Sequence, residues 1–451
     1  MKILVINGSP KGKYSITLQT IRYLEILYRE HTFEVLDAGQ RIHSLEKNFE
    51  AAEKALMEAD LLLFSYPVYT FIAPSQLHRF IELVKESGVC LEGKPAAQIT
   101  TSKHFYDITA HNYIRDNCQD LGLRYLGGLS ADMDDLTSKK GRKEANDFFR
   151  YILWNEEQGF CEARPIRKAA APGKPVRVPE SSTKKEDREV VIVTDAEKTD
   201  LCLDAMIRRF RAVFPYKTRI FNLHEYPFDG GCLGCFNCAV SGDCVYKDGF
   251  DHYLRTHIQT ADANVYAFTI RDHSMGARFK LYDDRQFCNG HRTVTMGMPV
   301  AYLVSGNYSE EFNLQMIVEG RAQVGSNYLA GVATDEVNPE AEIDRMAATL
   351  AYAMEEKYMQ PQNFYGIGGM KIFRDLIWLM QGMMKADHRF YKAHKQYDFP
   401  QKKWKTMVGM YLVGGLLSSP KLKAKIGNKM NEGMLAPYVK VLEQAKKEAC
   451  Q

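Results

Sequence analysis

Two doubly wound parallel β-sheets in tandem, followed by a helical extension, are the α/β architecture expected from three features of this 451-residue chain. Short β-branched apolar runs alternate with longer helical patterns, the rhythm of parallel strands joined by crossover helices. The same order of segments returns after about 190 to 200 residues, as internal duplication requires. Beyond Pro361 the strand signals stop and helical periodicity takes over.

In the first half the apolar runs place strands at 2–6, 32–36, 60–65, 95–100 and 125–129, with helices at 16–29, 45–59, 74–87 and 106–121. Five strands in this rhythm suit the sheet order 2-1-3-4-5. The repeat supplies the second half: KILVIN (2–7) returns as EVVIVT (189–194), and ADLLLFS (59–65) as ADANVYAF (261–268). RFIELVKESGVCLEGKPAAQITTS (79–102) is matched by RFKLYDDRQFCNGHRTVTMGMPVAYLVS (278–305), and LGLRYLGGLSAD by VGSNYLAGVATD. Residues 163–188 are rich in Pro, Lys and Ser and read as a linker. The expected division is 1–160, a linker at 161–188, a second domain at 189–360 and an extension at 361–451, with extension helices at 369–384, 405–417 and 420–447 around a polar stretch at 388–400.

A composition of 45% hydrophobic, 25% charged and 11% aromatic residues is that of a globular protein, and a net charge of +3 is too mild to argue for nucleic acid. The charge is unevenly placed. From Pro361 onward 16 Lys and Arg stand against 6 Asp and Glu, a net of +10 that leaves −7 for the rest. In this tail Lys371, Arg374, Lys385, Arg389, Lys392, Lys395, Lys402, Lys403, Lys405, Lys421, Lys423 and Lys425 alternate with Met, Trp and aliphatic residues. Packing within the protein is the ordinary reason for such a pattern. Peripheral contact with anionic lipid, or docking of an acidic electron-transfer protein, is the functional alternative. The chain opens on a strand and a turn without a leader pattern, and no run of 18 apolar residues occurs, so a cytoplasmic protein is expected.

The turn from Gly8 to Thr17 (GSPKGKYSIT) joins the first strand to the first helix, at the sheet edge where ligands bind in such folds. A helix start offers unpaired N–H groups and a positive dipole end to a phosphate. Ser9, Ser15 and Thr17 add hydroxyls, Ile16 a backbone amide and Lys11 a charge. These residues resemble the GSPR-type loop and downstream SxT of the NADPH-dependent FMN reductases and their flavodoxin-like relatives, with Lys11 where that family commonly has Arg. The resemblance continues at Pro67, Val68, Tyr69 and Thr70, similar to the family's P-x-Y loop beside the isoalloxazine. Thr100, Thr101, Ser102, Lys103 and His104 correspond to its third loop, without its usual glycines. The resemblance implies a flavodoxin-like fold, FMN held by these three loops, NAD(P)H as electron donor and a small-molecule acceptor or redox partner protein, with Tyr69 and His104 as neighbours of the ring. It also implies dimers, for which the tandem repeat offers an internal substitute. An auxiliary electron carrier and a non-catalytic scaffold are the competing readings.

In the second half the corresponding turn is Thr194-Asp195-Ala196-Glu197-Lys198-Thr199-Asp200, whose carboxylates would repel a phosphate. No FMN is expected there. The loop Arg271-Asp272-His273 reads as a solvated segment, with a substrate or nicotinamide contact as the alternative. Of ten cysteines, Cys232, Cys235, Cys238 and Cys244 form a C-x2-C-x2-C-x5-C run that suits metal binding more than disulfides in such a chain. The run resembles the iron–sulfur flavoprotein branch of the same family, which implies a [4Fe–4S] cluster; four-thiolate zinc and a metal-free thiol group stay open beside it. Cys90, Cys118, Cys161, Cys202, Cys288 and Cys450 read as buried or incidental.

Overall fold

Apolar β-branched runs such as Ile3–Ile6 and Val190–Val193 are buried on both faces, and this forces central parallel strands covered by helices on two sides. The computed structural model describes residues 1–166, 173–181, 183–398, 403–417, 438–439, 441–444 and 447–448. Most of the expected helix at 420–447, together with Lys402, Lys421, Lys423, Lys425 and Cys450, lies outside the described residues. The chain divides into two compact units, Met1–Phe390 and Tyr391–Gln451.

In the first half β1 (Lys2–Asn7), β2 (Thr32–Leu36), β3 (Leu61–Pro67), β4 (Pro95–Ser102) and β5 (Arg124–Asp132) form an all-parallel sheet of order β2-β1-β3-β4-β5. The connecting helices are α1 (Ile16–Leu27), α2 (Ile42–Leu45), α3 (Glu50–Glu58), α4 (Ser75–Ser87), α5 (Asp107–Asp120) and α6 (Lys139–Gln158). The second half repeats the plan. Its strands β6 (Lys185–Thr194), β7 (Tyr216–Asn222), β8 (Ala263–Thr269), β9 (Pro299–Ser305) and β10 (Tyr328–Thr334) are ordered β7-β6-β8-β9-β10, the same arrangement offset by five. Its helices are α7 (Leu201–Val213), α8 (Asn237–Val240), α9 (Phe250–Tyr253), α10 (Gly276–Arg285), α11 (Phe312–Gly325) and α12 (Pro339–Glu356); α13 (Phe364–Leu379), α14 (Lys385–Ala393) and α15 (Trp404–Leu417) follow. The tandem flavodoxin-like fold is therefore present in both halves.

Local details differ from the sequence expectation. The helix expected over 45–59 is broken, because the Asn48 carboxamide accepts from the backbone N–H of Glu50 (3.0 Å) and starts a new helix there. The helix expected over 369–384 begins earlier, at Phe364, where Asn363 Oδ1 accepts from the N–H of Tyr365 (3.0 Å). The stretch read as polar and irregular at 388–400 contains the end of α14. Part of the linker is pinned to the second half: Lys174 N–H donates to the Asp335 carbonyl (2.7 Å) and Arg177 N–H to Glu340 (3.0 Å).

The two sheets share one core. The inner faces of both, with Phe80 of α4, Tyr113 of α5, Phe279 of α10 and Ile317 of α11, belong to a single buried cluster. Separate clusters lie under α1 and α6 on one outer face and under α7 and α12 on the other. At the junction α4 packs on α10 and each caps the other. The Asp284 carboxylate accepts from the N–H of Ser75 (2.8 Å), and Glu82 accepts from the N–H of Ala277 (2.7 Å). Carboxylates at helix starts satisfy orphan donors and meet the positive dipole end. The halves thus pair internally, through reciprocal helix caps, within one unit. Among the described residues no helix is long and apolar enough to cross a membrane.

Candidate functional site: a cavity between the two halves

The turn after β1 is braced before it reaches any ligand. Asn7 Nδ2 donates to the Gly12 carbonyl (3.1 Å) and to Asp37 (2.7 Å), while its Oδ1 accepts from the Ser9 N–H (3.3 Å). Gly39 N–H donates to the Asn7 carbonyl (2.9 Å), and a Cβ on Gly39 would lie 2.3 Å from the Gly8 carbonyl oxygen, so only glycine allows this approach. Ser15 caps α1, its hydroxyl accepting from the Leu18 N–H (3.4 Å). Ile16 and Thr17 follow in the first turn, where backbone N–H groups have no helical partner. Thr17 Oγ1 lies 2.6 Å from Thr101 Oγ1, tying this loop to the end of β4. Lys11 forms no ion pair among the described residues; its ammonium lies over the Phe236 ring of the second half, 5.6 Å from the centroid.

The loop after β3 is held in an unusual backbone state: Thr70 and Phe71 have φ of 42° and 73°. Such strain persists only where neighbours overdetermine it. They do so here. Lys280 of α10 donates to the Tyr69 carbonyl (3.0 Å) and the Thr70 hydroxyl (3.1 Å), and both Lys280 and the Thr70 hydroxyl are bonded to Asp284. Lys280 and Asp284 are fully buried, so an ion pair from one half fixes a loop of the other.

Ser9, Lys11, Ser15, Ile16, Thr17, Pro67, Val68, Tyr69, Thr70, Thr101 and Ser102 all line one cavity. His104 does not. It is exposed, with Nδ1 2.8 Å from Asp107 and 3.3 Å from Ser130 Oγ.

The cavity's other wall comes from the second half. Cys232, Cys235, Cys238 and Cys244 line it, with Phe236, Tyr246, Phe287 and Cys288. The loop carrying them is anchored by buried Arg285, which is bidentate to Asp248 (2.7 and 2.8 Å), donates to the Gly230 carbonyl (2.9 Å) and stacks on Tyr246 (4.4 Å). From the first half Gln76 Nε2 donates to the Cys232 carbonyl (3.3 Å). Gly234, at φ +60°, lets the loop meet Tyr69: a Cβ there would lie 1.9 Å from the tyrosine oxygen. Cys288, read from sequence as buried or incidental, is buried and belongs to this wall. The nine described cysteines are free thiols, and among the described residues no three His, Cys, Asp or Glu converge on a metal position. Burial, followed by nearby Asp284, pushes the Cys232 thiol far up; burial first, then Asp387 and Cys235, lifts Cys238 to about 11. Burial and then Cys232 hold the Tyr69 phenol well above its usual range, so it stays protonated.

The third wall is α13. Ile372, Phe373 and Leu376 line the cavity, and the Phe373 ring stacks on Phe105 (4.4 Å) and meets His291 edge-on (4.8 Å). The first helix of the basic extension is thus part of the pocket, a role its sequence did not announce. The cavity measures about 200 Å³. That is below the usual 300–1,000 Å³ of small-molecule sites. Phe236, over Lys11, and Phe373, stacked on Phe105, are among its lining side chains.

The corresponding turn of the second half is closed by its own charges. Glu197 N–H donates to Asp200 (2.8 Å), and Arg271 lies 3.6 Å from both Glu197 and Asp200. Burial lifts the Asp195 carboxyl to about 7, opposed by Arg271. The loop at Arg271–His273 is not a solvated segment: His273 is wedged between Glu311 and Asp120 (2.8 Å each), and Asp272 pairs with Lys85 (2.7 Å). Asp272 and His273 are thus spent holding the halves together, while Arg271 serves the second half's own turn.

Residues 1–131 match the family model of the NADPH-dependent FMN reductases. The match covers the first sheet as far as β5 and stops short of the cysteine loop. No curated protein matches the chain. Among solved structures the chain is similar to Smu.1420 from Streptococcus mutans UA159, at 18% identity over 35% of this chain and 100% of that one, with a TM-score of 0.28. It is also similar to FerB, a flavoenzyme NAD(P)H:(acceptor) oxidoreductase from Paracoccus denitrificans (18% identity, 34% and 97% covered, TM-score 0.28). A third is an FMN-dependent NADH-azoreductase from Bacillus anthracis in complex with FMN (14% identity, 35% and 98% covered, TM-score 0.26).

Proposed function

We propose that the protein is an NAD(P)H-dependent flavin oxidoreductase that holds FMN between its two halves and passes electrons to a small-molecule acceptor. One observation carries this reading: the three loops of the first half bring their hydroxyls, the backbone amides of the α1 start and Lys11, which makes no ion pair among the described residues, to one cavity with apolar walls. That donor set fits a phosphate dianion at one end and a flat apolar ring at the other. Ser9, Lys11, Ser15, Ile16 and Thr17 would hold the phosphate; Pro67, Val68, Tyr69, Thr70, Thr101 and Ser102 would meet the ring. FMN, when bound, accepts two electrons from nicotinamide and releases them together or singly. Tyr69 acts as a neutral donor and packing surface rather than a base, and Phe373 and Phe105 exclude water from the ring. A cavity of this size must widen for a flavin to enter.

A [4Fe–4S] cluster on Cys232, Cys235, Cys238 and Cys244 is the finer reading. It is supported by the cysteine spacing and by the position of these thiols on the wall of the same cavity. Against it stands the lack of a converged ligand set among the described residues, so loading requires the loop to close and the thiols to lose protons, which burial opposes at Cys232 and Cys238. No step of the reaction is assigned to it. The basic extension beyond α14 is proposed to meet an anionic lipid surface through α15, whose Met410, Tyr411 and Leu412 are exposed; sedimentation of the full chain with anionic vesicles at low salt tests this, and free protein in the supernatant rejects it.

The main experiment is an anaerobic absorbance spectrum of the purified protein with flavin and iron quantitation, followed by NAD(P)H oxidation with a soluble quinone. Bound FMN and turnover are expected. If FMN added in excess stays wholly free, the oxidoreductase reading fails; if turnover appears only with a protein partner, the acceptor assignment fails.

A further inference from the structure

A second cavity between the halves, of about 750 Å³, is the counterpart of the first in the repeat. The turn after β6, the loop after β8 and the segment after β2 line it, as the turn after β1, the loop after β3 and the segment after β7 line the other. Most of the charges on its walls are spent. Arg79 pairs with Glu46 (3.2 Å), Glu82 (3.0 Å) and Glu86 (2.6 Å), Lys85 with Asp272 (2.7 Å), and Arg271 with Glu197 (3.6 Å). His43 and His224 stand beside Glu46 (3.1 Å) and Glu197 (3.7 Å). Two lining charges are left over. Asp195 is only 5% exposed, forms no ion pair among the described residues, and takes no hydrogen bond on its carboxyl beyond that of its own backbone N–H. The carboxyl is not sealed in protein but opens into the cavity. Half-buried Arg278 spends Nε and Nη2 on the Leu223 and Tyr226 carbonyls, while Nη1 has no hydrogen-bond partner and no carboxylate pairs with the group among the described residues.

We propose that this cavity binds the zwitterionic head of a free α-amino acid, with the ammonium on Asp195 and the carboxylate on Arg278. A carboxylate and a guanidinium withdrawn from water each require an opposite charge. They do not supply it to one another: Asp195 opposes the fall that burial imposes on the Arg278 pKa, yet no ion pair joins them. A ligand carrying both charges on adjacent atoms bridges the two. A lone ammonium would leave Arg278 unpaired, and a lone carboxylate would leave Asp195 so. A neutral hydroxyl could bond to both but would neutralise neither. Burial lifts the Asp195 carboxyl to about 7, with Arg271 opposing, which is the behaviour of a carboxylate short of counter-charge. The carboxylates that bar a phosphate from the turn after β6 thus suit a ligand with an amine. The site stands whether or not the other cavity holds flavin.

Ligand-observed NMR on the full-length protein tests it with four probes: L-alanine, ethylamine, propionate and glycerol. Alanine is expected to bind at least tenfold more tightly than ethylamine, which lacks the carboxylate, than propionate, which lacks the ammonium, and than glycerol. Asp195→Asn keeps the shape, removes the charge and should weaken alanine binding at least tenfold. Excess FMN should leave alanine bound. Ethylamine or propionate binding as tightly as alanine would overturn the proposal, because one of the two charges would then be unused; glycerol binding as tightly would show a site for hydroxyls instead. Unchanged alanine affinity in Asp195→Asn, or displacement of alanine by FMN, would place the ligand elsewhere and overturn it as well. The four-probe comparison is made on the unaltered protein, so misfolding of a variant cannot imitate its result.

Discussion

The loops after β3 and β8 have the same backbone and opposite chemistry. Thr70 and Phe71 in the first, Asp272 and His273 in the second, occupy consecutive left-handed positions, and each loop closes by a small antiparallel bridge, Tyr69 with Ile72 and Arg271 with Ser274. In the first half the strained positions carry a hydroxyl and a buried phenyl ring, leaving an uncharged surface for a cavity. In the second they carry an acid and a histidine, both consumed in ion pairs across the junction. The two loops share a shape; one lines the cavity and the other clamps the halves.

The sharpest way to break this comparison is to remove the lysine from each side of the junction. Lys280→Met leaves the Asp284 carboxylate buried without its partner and should cost about 3–5 kcal/mol in urea unfolding. Lys85→Met, at the partly exposed counterpart, should cost no more than about 1 kcal/mol. Equal losses would show the two sides to be equivalent after all.

A second test uses pH. Burial alone would lower the His273 pKa, but its bonds to Asp120 and Glu311 raise it to about 9. A raised folded-state value means that the histidine's contribution is complete below about pH 6.5 and lost as pH rises through about 9, for a total of about 3 kcal/mol. Unfolding free energies at pH 6 and pH 10 should differ by that much more in the wild type than in His273→Phe, which copies the first-half residue. An unchanged difference removes the clamp assignment.

The turn after β1, proposed to hold the phosphate, gives the next contrast. Thr17→Asp brings into the first half the carboxylate chemistry of the second, and should weaken FMN binding about a hundredfold, equivalent to about 2.7 kcal/mol. Lys11→Gln removes a single half-buried charge and should weaken it about tenfold, or about 1.4 kcal/mol. Fluorescence titration of FMN measures both. If Thr17→Asp binds as the wild type does, the turn is not the phosphate site.

The fold was legible because strand runs such as KILVIN and EVVIVT are apolar on both faces, a pattern only a covered parallel sheet satisfies. The turn after β1 was legible for a related reason: hydroxyls, glycine and a helix start lie within ten residues of one strand end, whereas the loops after β3 and β4 were read by resemblance. What escaped was everything set by the pairing of the halves. Nothing local in Cys288, Phe287 or Phe373 points to a pocket, since each reaches the cavity from an element far along the chain. His104 shows the converse. Its neighbours Lys103 and Phe105 line the cavity, but its own backbone turns left-handed (φ 55°) and carries the imidazole to Asp107 instead.

Having both walls of the pocket on one polypeptide removes mass action from its assembly. A site built across two separate chains comes apart on dilution below their dissociation constant, whereas here the covalent connection keeps the cysteine loop at a fixed, high local concentration beside the loops of β1 and β3. Ligand affinity should therefore be the same at nanomolar and at micromolar protein.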